Sequence, residues 1–175
     1  RKRFDIRRVQ TDVFLIKSLK SARDNKEHAA ALSLVDRLLV KDPQSKNILL
    51  IKANILLDQK LYGDAVPIYQ SVLATYPDSL IALFNLGYAQ KELGSFSEAI
   101  ATFERILNRP ATNASEVPRL TEDQILLQLI DASLKNNDLV KAASYLSRLK
   151  DKASLEAQVF QAQLFRMQNK FVEAR

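Results

Sequence analysis

The sequence predicts an all-α fold, an α-solenoid of antiparallel helix pairs. Three observations carry that prediction. A helix–turn–helix skeleton returns at an interval of 34 residues, placing Ala31, Ala65 and Ala99 in register. In the first helix of the first interval one face recurs at i, i+3, i+4 and i+7, the spacing of an amphipathic helix. The three Gly and five Pro of the 175 residues fall mostly at joints between these helical patterns. The expected organisation is a basic lead-in over 1–10 and one repeat domain over 11–175. That domain carries an inserted loop at about 110–121 and an incomplete last repeat.

The first unit runs from about Thr11 to Pro43. Leu15, Ser18, Leu19 and Ala22 share one face of its first helix; Asp24-Asn25-Lys26 turns the chain; Ala31, Val35 and Leu38 pack from a second helix over about Lys26 to Lys41. The second unit, Ser45 to Pro77, turns Leu49, Ala53 and Leu56 inward from one helix and Ala65, Tyr69 and Val72 from the next. Its Lys52 stands at an apolar position, where the stem can lie along the core while the amine reaches water. Pro67 falls in the opening turns of the second helix, where a small kink is expected.

The third unit, Asp78 to Pro110, is the clearest. Leu83, Leu86 and Gly87 mark its first helix and Ala99 and Phe103 its second. Gly94 is placed to end the first helix at positive φ, and Ser95-x-x-Glu98 reads as a capping box for the second. The rhythm then breaks, because Ala99 aligns with Ala142 only at an interval of 43. The surplus lies in ATNASEVPRLTED, flanked by Pro110 and Pro118 and read as a loop. Thr121-x-x-Gln124 caps the helix that opens the fourth unit, 122–151. There Leu126, Leu129 and Ile130 face Ala142, Leu146 and Leu149 across the turn Asn136-Asn137-Asp138. A fifth unit starts at Ser154, with Ala162 and Phe165 on its inward face, and Phe171-x-Glu173-Ala174 reads as the start of a second helix.

The period, with Leu83-x2-Leu86-Gly87, Ala99-x3-Phe103 and Pro110, resembles the tetratricopeptide repeat family. The resemblance implies a right-handed superhelix whose first helices line a concave groove, and a protein partner held in it. Leu19 occupies a place where the family usually keeps Gly or Ala, so the helices of that unit are expected slightly further apart. The groove positions it implies are Val13, Ile16 and Lys20, then Asn47, Leu50, Ile51 and Asn54. From the next first helices come Ile81, Phe84, Asn85 and Tyr88, then Gln124, Leu127, Gln128 and Asp131. Amides such as Asn54 and Asn85 can donate to and accept from a peptide backbone, while Leu50, Phe84, Tyr88 and Leu127 would receive side chains. Members that hold chaperone C-termini use two Asn with Lys and Arg. The Asn places match Asn54 and Asn85, but Leu50, Gln124 and Gln128 stand where the cations would be. A hydrogen bond to a charged group contributes roughly 1.5–3 kcal/mol, so losing two costs over about a hundredfold in affinity. A chaperone carboxylate is therefore not the expected ligand.

Composition narrows the remaining classes. With 47% apolar residues the chain can build a continuous core. It has no Cys, and His28 is its one histidine, so neither a Cys–His pair nor a multi-His metal site exists within it. His28 reads as a packing residue. Asp36, Asp58, Asp64, Glu98 and Glu104 read as solvated helix charges, and no phosphate-binding glycine loop occurs. No catalysis and no cofactor are expected. Residues 1–26 hold nine Lys or Arg against three Asp, the whole net charge of +6, and the other 149 residues balance 17 against 17. Because the basic excess does not recur along the repeats, nucleic acid is disfavoured. Three readings of the basic end stay open: a solubilising terminus, a contact with anionic lipid, or a contact with an acidic partner. No run approaches the roughly 20 apolar residues that span a bilayer. The chain starts at Arg1, so it is read as a fragment or processed form. Cytoplasmic placement is favoured, with membrane tethering by a segment upstream of Arg1 left open. The leading functional expectation is a non-catalytic adaptor. The alternatives are a self-associating module, using an apolar end made by Phe160, Ala162, Phe165 and Phe171, and a regulatory or targeting domain of a larger membrane-anchored protein or enzyme.

Overall fold

A computed structural model describes residues 17–22, 24–109 and 120–173, with side chains to residue 170. Every ordered element among the described residues is helical. The lead-in 1–10, Val13, Leu15 and Ile16, residues 110–119 of the inserted loop and the side chain of Phe171 lie outside that description.

The chain divides into two compact units, Arg1–Pro77 and Asp78–Arg175. In the first, α1 is helical over residues 17–22, followed by α2 (His28–Lys41), α3 (Lys46–Asp58) and α4 (Tyr62–Thr75). Its core joins Leu19 and Ala22 of α1 to Ala31, Val35 and Leu38 of α2 and Ile55 of α3. Ala53, Ala65, Tyr69 and Val72 are buried between α3 and α4. In the second unit, α5 (Leu80–Glu92) pairs with α6 (Phe96–Leu107), α7 (Glu122–Lys135) with α8 (Leu139–Arg148), and α9 (Leu155–Glu173) follows. Helices of 10 to 14 residues in these pairs are only about 15–21 Å long, so each buries its apolar face only by stacking on the next.

The turns inside the pairs share one device. Lys26, Lys60, Gly94 and Asn137 all have φ between 58° and 81°. In each, the next residue's N–H reaches the carbonyl five residues back: Glu27 to Ala22, Leu61 to Leu56, Ser95 to Gln90 and Asp138 to Ser133, at 2.8–2.9 Å. This is the Schellman closure, which satisfies carbonyls that the helix end would orphan. One expectation is corrected. Ser95, at ψ 62°, is the N-cap of α6 but makes no side-chain cap bond, whereas Asp138, which follows the same closure at ψ 80°, accepts from Lys141 N–H at 3.0 Å. Thr121, arriving extended at ψ 157°, does form the capping box: its hydroxyl accepts from Gln124 N–H at 3.2 Å, and Gln124 Oε1 accepts from Thr121 N–H at 2.8 Å.

Size is traded across the helix pairs. Gly87 meets Phe103 so closely that a Cβ at Gly87 would lie 2.8 Å from ring carbons. The same register carries Ala53 with Tyr69 and Leu19 with Val35, so the larger Leu19 is met by a smaller partner. Leu19 is 4% and Val35 0% exposed. Pro67 is the sixth residue of α4, so only the bond to the Gly63 carbonyl is missing, and the helix continues to Thr75.

Some of the expected surface charges have partners. Lys52 finds Asp36 of α2 at 2.8 Å. Glu104 accepts from the Tyr145 hydroxyl and from Lys141 Nζ at 2.9 Å, joining α6 to α8. Burial opposes ionisation of Glu104, but those two donors outweigh it and hold its pKa below the ordinary value. Burial, then the Glu104 carboxylate, pushes the Tyr145 phenol up.

The last element differs most from expectation. α9 is one helix of 19 residues to Glu173, so Phe171 does not open a new one: Gln168-Asn169-Lys170 contains no Gly or Pro to stop it. Its inward residues are Ala157 and Leu164, 3% and 5% exposed, whereas Ala162 is exposed and Phe165 is 62% exposed.

Candidate binding cleft

In the second unit α5 and α7 lie side by side as the first helices of their pairs. The Gly87–Phe103 contact and the packing of α6 against both hold that arrangement. Between them opens a cleft of about 390 Å³, with Leu80, Ile81, Phe84 and Asn85 on one wall and Leu120, Gln124, Leu127 and Gln128 on the other. Ile81, Phe84, Asn85, Gln124, Leu127 and Gln128, all expected from the sequence, are thus brought to one place. Leu80 and Leu120 join them. Phe84 is fixed from behind by an edge-on contact with Phe103, ring centroids 5.7 Å apart.

Tyr88 and Asp131 sit further along the same two helices, around a residue that the sequence did not mark. Lys91 is only 7% exposed, and its Nζ donates to Asp131 Oδ2 at 2.6 Å and Gln128 Oε1 at 2.8 Å. It also lies 5.5 Å from the centroid of the Tyr88 ring. Lys135 reaches the same Asp131 oxygen at 3.0 Å. The repeat register puts Arg23, Leu57 and Leu134 at the corresponding places, so a charge where two other repeats hold Leu was the available signal.

In the first unit, Asn54 accepts from the buried Tyr69 hydroxyl at 2.6 Å, which gives it a structural task. Leu50, expected to face the groove, is 6% exposed. Asn47 and Lys20 are exposed, and Ile51 is half-buried against the core that includes Leu19 and Val35. Among the described residues no group of three or more His, Asp or Glu is placed to hold a metal, and no helix is long and apolar enough to cross a membrane.

A profile of the tetratricopeptide repeat family matches residues 18–79 and 52–115. Curated proteins gave no sequence match. Among solved structures, a tetratricopeptide repeat protein from Parabacteroides merdae aligns with a TM-score of 0.77 at 18% identity, over 94% of this chain and 62% of that one. MamA from Desulfovibrio magneticus RS-1, residues 41 to the end, aligns at 0.65 and 19% identity, over 77% of this chain and 71% of that one. A MamA double mutant gives 0.64 at 17% identity, over 89% and 74%. At such identities the likeness is one of fold, and this chain spans under two thirds of the first neighbour. The profile covers 18–115, more than half of the 175 residues: the chain belongs to the tetratricopeptide repeat family, whose helical repeats are typically non-catalytic modules of protein–protein interaction.

Proposed function

We propose that the chain is a non-catalytic adaptor that holds an extended segment of a protein partner in the α5–α7 cleft. The carrying observation is the cleft's composition: five apolar side chains, Leu80, Ile81, Phe84, Leu120 and Leu127, with three amides, Asn85, Gln124 and Gln128. Apolar walls supply affinity and a few placed polar groups fix orientation, which is how peptide grooves work. Peptides selected from a displayed random library and remade synthetically test this. Phe84→Ala with Leu127→Ala should weaken their binding about tenfold or more, since burying two such side chains contributes several kcal/mol. Val140→Ala, on the exposed face of α8, should not. Sensitivity at Val140 with indifference at Phe84 rejects the reading.

A second reading, self-association through α9, has its own observation. Leu155, Val159 and Phe165 are 74%, 53% and 62% exposed, and Phe165 borders a 410 Å³ hollow against Leu146 and Leu149. Light scattering across a concentration series tests it. Phe165→Ser should lower the apparent mass if α9 pairs copies, and a monomer at every concentration removes the reading.

A further inference from the structure

Helix α9 has two unlike faces. Ala157 and Leu164 point into the stack and are buried. Leu155, Val159 and Ala162, at i, i+4 and i+7, line the opposite face, with Phe165 at its edge, and all four are exposed. Ala162 and Phe165 also border the hollow beside Leu146 and Leu149, so the apolar surface is wider than one helix. Charge is distributed unevenly along the same helix. Glu156 lies in its first turn and Arg166 and Lys170 in its second half, all three exposed.

We infer that α9 pairs antiparallel with α9 of a second copy of this chain, about a two-fold axis at Ala162. The inference rests on the reading of α9 as a self-association surface and adds the partner face, its direction and its register. In such a pair, residues equally far before and after Ala162 come level with each other. Val159, three before, packs beside Phe165 of the second copy, three after, and the small Ala162 between them lets the two backbones approach. Glu156, six before, falls lengthwise between Arg166 and Lys170 of the second copy, four and eight after. Glu156 and Lys170 stand 14 positions apart, close to four turns, and so lie on one flank; the two-fold axis brings like flanks together. A parallel pair sets Glu156 against Glu156 and Lys170 against Lys170, and like charges repel. One helix face per copy is a small interface, so the dimer is expected at high protein concentration.

The chain has no cysteine, so single cysteines introduced into the full chain report the pairing. The two thiols of Ala162→Cys face each other on the axis. With diamide as oxidant they should link the dimer at least about tenfold faster than Val140→Cys, whose exposed place on α8 sets the rate of random collision. Leu155→Cys should stay at the collisional rate, because antiparallel pairing holds its two thiols about 21 Å apart along the helices, beyond disulfide reach. In sedimentation equilibrium at low salt, Glu156→Lys and Lys170→Glu should each weaken dimerisation about fivefold, and the two together should restore it. Fast linkage at Leu155, or a double variant no tighter than the singles, overturns the antiparallel register while self-association stands. A dimer in which neither Ala162→Cys nor Leu155→Cys links faster than Val140→Cys overturns the α9 contact. A chain that stays monomeric at every concentration removes the self-association reading, and this inference with it.

Discussion

Lys91 and Asp131 form a pair whose two ends are unequally replaceable. Asp131 answers two cations, and it is 19% exposed with Lys135 as a second partner. Lys91 is 7% exposed, and among the described residues Asp131 is the only carboxylate it meets. Removing the carboxylate leaves a buried ammonium with an amide and a ring, and stranding a buried charge costs about 3–5 kcal/mol. Removing the ammonium leaves Asp131 still paired. Asp131→Ala should therefore destabilise by about 3 kcal/mol, and Lys91→Met by clearly less, in urea unfolding at neutral pH. Equal losses would mean that Lys135 does not compensate. Gly87 offers a steric counterpart. Gly87→Ala forces a Cβ to within 2.8 Å of the Phe103 ring and should cost about 1–3 kcal/mol by overpacking. Adding Phe103→Leu should return part of that loss, since a larger residue at this register is already met by a smaller partner in Leu19 and Val35.

Among the elements, the turns show what the sequence could and could not disclose. The 34-residue period located the helix pairs, because turn residues and apolar faces recur along the chain and are read locally. Gly94 announced its positive φ, but Lys26 and Lys60, at φ 58° and 60°, did not, being held there by helices on either side. An L-residue in this conformation carries a penalty of roughly 1–2 kcal/mol, part of which glycine returns in unfolded-state entropy. Lys60→Gly should thus stabilise by up to about 1 kcal/mol, Asn137→Gly by less, and Gly94→Ala should destabilise by about 1 kcal/mol. Thermal melts of the three variants check the order. What escaped the sequence were pairings between helices far apart in it, Lys52 with Asp36, Lys91 with Asp131 and Tyr145 with Glu104, since periodicity gives each face but not the neighbour across it. Glu104 also makes a pH statement. Its folded pKa is lowered, so its stabilisation is present above the unfolded pKa and is lost as pH falls through the folded one. Tyr145→Phe should raise the Glu104 midpoint in an NMR titration and weaken that acid dependence.

For the whole molecule, the chain divides after Pro77, and the proposed site belongs to the second unit. The resemblance spread groove residues over both units, from Lys20 and Asn47 to Asp131. The structure puts a formed cleft, its Phe103 support and its Lys91 clamp within Asp78–Arg175, while in the first unit Asn54 answers Tyr69 and Leu50 is buried. Two packed pairs and α9 give the second unit a core of its own, with Leu83, Phe103, Leu126, Leu129 and Ile130 at 0–1% exposure, and neighbour packing of this kind is what stabilises helical repeats. A chain beginning at Asp78 should therefore fold, with helical circular dichroism and a cooperative melt at a lower midpoint than the full chain. It should bind the cleft-selected peptides with an affinity within about threefold of the full chain, a difference under about 1 kcal/mol. If the shortened chain is folded and binding falls far more than that, then Lys20, Asn47 or Asn54 contributes contacts and the site extends into the first unit. If binding survives, the first unit is free for a different partner, and its exposed Lys20 and Asn47 are the residues to substitute next.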